Sequence, residues 1–85
     1  MKQKQVTLYT FTRCPYCIKA KRLLSAENIF FQEIVVTNTE LKELEKNTKM
    51  KTVPQIFVDE TLIGGFDDLH KLHQNNRLFK DTFYI

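Results

Sequence analysis

The pattern of apolar and polar residues in the first part of the chain predicts a β-α-β unit. Residues 6–10 (Val-Thr-Leu-Tyr-Thr) alternate and are rich in β-branched and aromatic side chains, which is typical of a strand. A helix should begin at Cys14-Pro15 and continue to about Glu27, because proline is favoured at the first helical position, where its missing N–H would have no partner. The side chains expected on its apolar face are Ala20, Leu23 and Leu24, with Tyr16 beside them. Residues 30–36 end in the apolar run Ile-Val-Val, which predicts a buried parallel strand.

A second helix and a hairpin are predicted next. Residues 37–40 (Thr-Asn-Thr-Glu) match a capping box, so a short helix should follow and end near Asn47. Residues 55–58 and 61–63 read as two antiparallel strands, and Asp59-Glu60 is the turn between them.

The last part of the chain predicts a helix and a packed end. Gly64-Gly65 should break the fourth strand, and Asp67 or Asp68 should cap the helix that follows. The tail, residues 75–85, should dock as a short helix or a packed end. Its apolar side chains are Leu78, Phe79, Phe83 and Ile85.

The element order β-α-β-α-β-β-α predicts an α/β fold with a four-stranded mixed sheet flanked by helices, in one domain spanning residues 1–85. With only two glycines and two prolines, the 85 residues have no composition typical of disorder. No apolar run approaches the ~20 residues of a membrane span, and no signal peptide is expected. The net charge of +3 is spread thinly among acidic residues, which argues against a nucleic-acid interface.

The two cysteines, Cys14 and Cys17, form the candidate reactive centre. Without a secretion signal the compartment should be reducing, where a Cys-x-x-Cys pair is more often catalytic or metal-binding than structural. Cys14 falls at the predicted helix N-cap, where the helix dipole, unpaired N–H groups and the neighbouring Arg13 favour the thiolate and lower its pKa. We therefore expect Cys14 to attack a disulfide and Cys17, deeper in the turn, to release the product.

Other interpretations of these cysteines remain open from the residues alone. They could form a buried structural disulfide, although the loop between them is too short to constrain much of the unfolded chain. They could also bind zinc together with His70 and His73, but the two pairs lie much further apart than in compact zinc modules. A partly buried His73 is the alternative interpretation of that residue.

Two further segments are candidates for binding. Val53-Pro54 precedes a predicted strand; an ordinary trans proline is expected from general frequencies, whereas a cis bond would turn the Val53 backbone toward the cysteines. Residues 64–68 (Gly-Gly-Phe-Asp-Asp) form a helix start whose N–H groups could bind a carboxylate and whose aspartates could accept from an ammonium group.

These segments together resemble the glutaredoxins, in particular the short bacterial dithiol type. Cys-Pro-Tyr-Cys at 14–17, Thr-Val-Pro-Gln-Ile-Phe at 52–57 and Gly-Gly-Phe-Asp-Asp-Leu at 64–69 fall in the family's order and spacing over essentially the whole chain. The resemblance implies a thioredoxin-like fold, a cis peptide at Val53-Pro54, and glutathione-dependent reduction of protein disulfides and protein–glutathione mixed disulfides. It makes Cys14 the nucleophile and Cys17 the resolving thiol.

The resemblance also implies a glutathione site. Its expected residues are Arg13, Tyr16, Thr52, Val53, Pro54, Phe66, Asp67 and Asp68. Many relatives bind the glycine carboxylate of glutathione with a lysine where this chain has Phe11, so Arg13, Lys49 or Lys51 is expected to substitute. Many relatives also have a cysteine where this chain has Phe66, so this chain lacks their third thiol.

The implied system needs glutathione as co-substrate, with no permanently bound cofactor and no metal. The implied partners are disulfide or glutathionylated proteins, with ribonucleotide reductase as one candidate, and NADPH with glutathione reductase indirectly. The expected state is a cytoplasmic monomer. Two alternatives remain open: a redoxin recharged by a flavoprotein thioredoxin reductase, and an iron–sulfur carrier in which two chains share a cluster through Cys14 and glutathione.

Overall fold

In the computed structural model, which describes residues 2–85, the chain forms four strands and four helices. In chain order these are β1 (Val6–Thr10), α1 (Pro15–Ala26), β2 (Gln32–Val35), α2 (Asn38–Thr48), β3 (Gln55–Val58), β4 (Thr61–Gly64), α3 (Phe66–Gln74) and α4 (Asn76–Phe83). The predicted order is confirmed, and the tail adds the helix α4.

The four strands form one mixed sheet in the order β2-β1-β3-β4. β1 runs parallel to β2 and antiparallel to β3, and β4 returns antiparallel to β3. The alternation of β1 places Val6 and Leu8 in the core, where both are almost completely buried. The predicted four-stranded mixed sheet is therefore confirmed.

The second strand is parallel as predicted, but full burial of its apolar end is confirmed only at Val36, which follows β2 and is 8% exposed. β2 is an edge strand with one hydrogen-bonded neighbour, it is shorter than expected, and Val35 is 54% exposed. Glu33 accepts hydrogen bonds from the Thr10 hydroxyl (2.8 Å) and the Lys21 ammonium group (2.9 Å). These bonds lower the pKa of Glu33, with Lys21 contributing most. A charged side chain on an edge strand also disfavours pairing with another chain.

The capping signals of the first two helices are confirmed. Cys14 is the N-cap of α1 and Pro15 is its first residue. Thr37 caps α2 in a complete capping box: its hydroxyl accepts from the Glu40 N–H (3.1 Å), and the Glu40 carboxylate accepts from the Thr37 N–H (2.9 Å).

The cap of α3 differs from the prediction. Neither Asp67 nor Asp68 is the N-cap, because the cap lies two residues before Asp67, at Gly65. Glycine has no side chain to cap with, but the Asp68 carboxylate accepts a hydrogen bond from the Gly65 N–H (3.0 Å). Gly64, at φ 129, leaves room for that carboxylate, since a Cβ at Gly64 would overlap it.

The tail packs as the short helix α4. Phe79 and Phe83 are buried in the core, whereas Leu78 and Ile85 are exposed, so two of the four apolar side chains dock. Burial of each phenylalanine contributes about 1.5–3 kcal/mol. Among residues 2–85, no helix has the length and apolar character that crossing a membrane requires.

Candidate active site

The two cysteines lie at the start of α1 and are joined by a disulfide bond. Cys14 is half-buried, whereas Cys17 is 1% exposed, because it lies one turn into the helix and faces the core. The Cys17 backbone N–H donates to the Cys14 sulfur at 3.2 Å. The more accessible sulfur therefore lies at the helix N-terminus with a backbone donor aimed at it, which is the arrangement that favours a thiolate after reduction.

The loop before β3 approaches this sulfur because of the sheet pairing. β1 ends just before the cysteine turn, and its Tyr9 pairs with Gln55 at the start of antiparallel β3. The Val53 carbonyl oxygen consequently lies 3.9 Å from the Cys14 sulfur. The Val53-Pro54 peptide is cis. The trans bond expected from general frequencies is therefore wrong, and the cis bond implied by the family resemblance is confirmed.

A groove of about 440 Å³ extends away from the cysteine turn. Its lining residues are Tyr16, Met50, Thr52, Val53, Pro54, Gly65, Phe66, Asp67 and Asp68. The structure thus brings together every residue expected in the glutathione site except Arg13. Met50 and Gly65 also line the groove but were not among the expected site residues. The Gly64-Gly65 break was a sequence signal for Gly65, whereas nothing in the sequence around Met50 indicated a role for that residue.

Aromatic side chains form one wall of the groove. Tyr16 does not pack beside the apolar face of α1 as predicted. It is 55% exposed and lines the groove. Its ring centroid lies 6.2 Å from that of Phe66, and the Lys19 ammonium group lies 4.9 Å from the Tyr16 centroid. This wall is apolar and accessible, so a ligand can pack along it beside Cys14.

Acidic side chains line the groove, whereas the basic candidates for ligand binding lie outside it. Asp67 and Asp68 lie in the first turn of α3, where the positive end of the helix dipole stabilises negative charge. None of the basic candidates for the glycine carboxylate lines the groove. Arg13 is exposed in the turn at φ 60, Lys51 is exposed, and the Lys49 ammonium group donates to the Lys46 carbonyl (3.3 Å).

The two histidines do not join the cysteines. Within residues 2–85 there is no group of three or more His, Cys, Asp or Glu side chains that could hold a metal ion. His73 Nε2 lies 2.7 Å from a Glu27 carboxylate oxygen, and His70 stacks on Phe66 with ring centroids 5.8 Å apart. The prediction of a partly buried His73 is confirmed.

Known proteins are similar to this chain in both sequence and fold. A family model described as Glutaredoxin matches residues 6–63. Glutaredoxin 1 of Rickettsia prowazekii is 47% identical over 79 residues, which cover 88% of this chain and 83% of the relative. A glutaredoxin of Pseudomonas aeruginosa is 47% identical over 75 residues, covering 86% and 89% respectively.

A solved structure agrees with these matches. The solution structure of glutaredoxin from Brucella melitensis superposes with a TM-score of 0.81 at 33% identity, over 96% of this chain and 91% of that one. The thioredoxin-like fold implied by the resemblance is therefore confirmed, with its Cys-x-x-Cys pair at the start of α1. The chain belongs to the glutaredoxin family and is a thiol–disulfide oxidoreductase.

Proposed function

We propose that this oxidoreductase depends on glutathione, with Cys14 as nucleophile and Cys17 as resolving thiol. The single observation that carries the proposal is the groove that begins beside Cys14, with the Val53 carbonyl 3.9 Å from the sulfur and the α3 N-terminus among its walls. Glutathione is a tripeptide with a thiol near its middle and a free amino-acid head group at one end. Its thiol would lie beside Cys14 and its head group at the N-terminus of α3.

The exchange begins at the accessible sulfur. The Cys14 thiolate attacks the glutathione sulfur of a protein–glutathione mixed disulfide, the old S–S bond breaks, and the protein leaves as a thiolate. A second glutathione thiolate then attacks the glutathione sulfur bound to Cys14, which forms oxidised glutathione and regenerates the Cys14 thiolate. With a protein disulfide, Cys14 forms a mixed disulfide and Cys17 attacks the Cys14 sulfur. The protein leaves as a dithiol, and the Cys14–Cys17 disulfide forms.

The groove supplies the proposed contacts with glutathione. The backbone of Val53 would pair with the cysteine of glutathione, in the manner of a short added strand. The γ-glutamyl carboxylate would accept from the N–H groups at Asp67 and Asp68, and the Asp68 side chain would accept from its ammonium group. The remaining contacts are with Tyr16, Thr52, Pro54 and Phe66, and Arg13 or Lys51 would reach the glycine carboxylate from outside the groove.

A glutathione-coupled mixed-disulfide assay on three proteins tests this assignment. Cys14→Ser should lose all activity, because no other thiolate is accessible at the helix tip. Cys17→Ser should still remove glutathione from mixed disulfides, because that reaction needs only one thiol, but should lose the reduction of protein disulfides. Loss of deglutathionylation in Cys17→Ser would contradict the proposed division between the two cysteines.

The source of electrons is tested in the same assay. Recharging with NADPH, glutathione reductase and glutathione should sustain turnover, and NADPH with thioredoxin reductase should not. Turnover with thioredoxin reductase alone would identify a different kind of redoxin. We further propose that residues 1–85 act as one domain, in a reducing compartment such as the cytoplasm, on disulfide or glutathionylated proteins such as ribonucleotide reductase.

A further inference from the structure

Gln55 is a polar side chain in a fully buried position. It is the first residue of β3, it is 0% exposed, and its amide nitrogen donates to the Met50 carbonyl and to the Thr52 carbonyl, both at 3.1 Å. Since both neighbours are acceptors, only the nitrogen end of the amide can face them. The two carbonyl acceptors therefore determine the orientation of the Gln55 amide.

Core packing gives no reason for an amide at this position. The Gln55 Oε1 atom is buried and has no hydrogen-bond partner among residues 2–85. A buried acceptor without a donor is destabilising, and methionine or leucine would fill nearly the same space without one. The contribution of Gln55 must come from its amide nitrogen.

That nitrogen holds the loop that forms one side of the groove. Residues 50 and 52–54 all line the groove, and the Val53 carbonyl oxygen lies 3.9 Å from the Cys14 sulfur. The loop is tied down by side chains: the Gln55 amide binds two of its carbonyls, and the Thr48 hydroxyl accepts from the Met50 N–H at 3.2 Å. Both carbonyls precede Val53, and the Thr52 carbonyl belongs to the peptide bond that joins Thr52 to Val53, so the Gln55 bonds restrain the backbone where it enters Val53.

We propose that Gln55 is a positioning residue of the active site, whose amide sets the 50–54 loop in the shape that binds glutathione beside Cys14. Gln55 touches neither substrate nor the reacting sulfur; it acts through Met50, Thr52 and Val53. This inference rests on the proposed glutathione dependence.

The test compares two core variants of the same strand. Gln55→Met keeps the size of the side chain and removes its donor. Val58→Ala, at the opposite end of β3 and 5% exposed, weakens the core without touching the loop. Gln55→Met should raise the KM for glutathione about tenfold and leave the alkylation rate of reduced Cys14 within twofold of wild type. Val58→Ala should lower thermal stability while keeping the wild-type KM.

A second measurement does not depend on glutathione. Hydrogen exchange of the amides in residues 50–54 should be faster in Gln55→Met and unchanged in Val58→Ala. Wild-type KM and wild-type exchange in Gln55→Met, or equal effects in both variants, would overturn the proposal. If the wild-type protein does not use glutathione at all, the proposed function is wrong, and the exchange comparison still decides whether Gln55 holds the loop.

If Gln55→Met fails to fold, the wild-type protein is tested instead. Both side-chain amide protons of Gln55 should exchange slowly with solvent and shift when glutathione is added, as observed by NMR. Rapid exchange, or no shift at saturating glutathione, would refute the role of Gln55.

Discussion

Asp68 contributes to the start of α3 in two ways that substitution can separate. Its carboxylate accepts from the Gly65 N–H at 3.0 Å, and it also lines the groove, where we propose that it binds the ammonium group of glutathione. Asp68→Ala removes both the acceptor and the charge. Asp68→Asn keeps an acceptor oxygen but removes the charge. Asp67→Asn is the matched control, since Asp67 lines the same groove one residue away.

Substitution of Asp68 can remove three contributions, and each has its own expected magnitude. Loss of a helix-capping hydrogen bond costs about 1 kcal/mol, which corresponds to roughly 4–8 °C in Tm for a domain of this size. Loss of a negative charge in the first helical turn costs about 0.3–1 kcal/mol. An exposed pair between Asp68 and an ammonium group is worth about 0.2–1 kcal/mol, so its loss should raise the KM for glutathione by up to about fivefold.

Thermal unfolding and glutathione kinetics together test this separation. Asp68→Ala should have the lowest Tm, and Asp68→Asn should lie close to Asp67→Asn. Both Asp68 variants should share the raised KM, and Asp67→Asn should stay nearer the wild-type value. A Tm of Asp68→Asn as low as that of Asp68→Ala would show that the Gly65 bond is not the source of stability. A wild-type KM in Asp68→Asn would show that the charge does not bind glutathione.

Three further changes test the packing and the charges. Hydrogen bonding, chiefly to Lys21, lowers the pKa of Glu33 below the reference value of 4.5, so its stabilisation is fully present above about pH 4.5 and is lost as pH falls through the lower folded pKa. Glu33→Gln should therefore destabilise the protein at pH 7 by about 1 kcal/mol or less in urea titrations, and a difference that persists at pH 2 would contradict this. Phe83→Ala should lower the free energy of unfolding by about 3–5 kcal/mol, against less than about 0.5 kcal/mol for exposed Ile85→Ala, and equal urea midpoints would refute the packing of α4. Thr37→Ala should lower it by about 1 kcal/mol through loss of the α2 cap, and an unchanged urea midpoint would argue against that cap.

Local signals predicted the elements that depend on neighbouring residues. The bounds of β1 and β3 follow from their apolar and β-branched runs, and the α2 capping box follows from Thr37 and Glu40, because each signal lies within four or five residues. Pro15 likewise placed the start of α1 and thus the cysteine pair. These elements already position Cys14 at a helix N-terminus before any long-range contact is considered.

Long-range geometry decided what the sequence could not predict. The exposure of Val35 depends on the order of strands in the sheet, which puts β2 at an edge. The cis bond at Pro54 has a low general frequency, so only the family resemblance indicated it. Met50 reaches the groove through the path of a loop that carries no periodic pattern, and the anchoring of that loop by Gln55 is visible only in three dimensions.

The antiparallel pairing of β1 with β3 brings the groove residues beside the cysteines, so the complete site forms only in the folded chain. The sulfurs come from residues 14–17, while the groove walls also come from residues 50–54 and 65–68, so a fragment that ended before β3 would keep both thiols and lack the complete binding surface. A slip of β3 by a single residue would turn Gln55 to the opposite face of the sheet and release the loop. A partly folded chain would therefore carry both cysteines without the complete groove beside them.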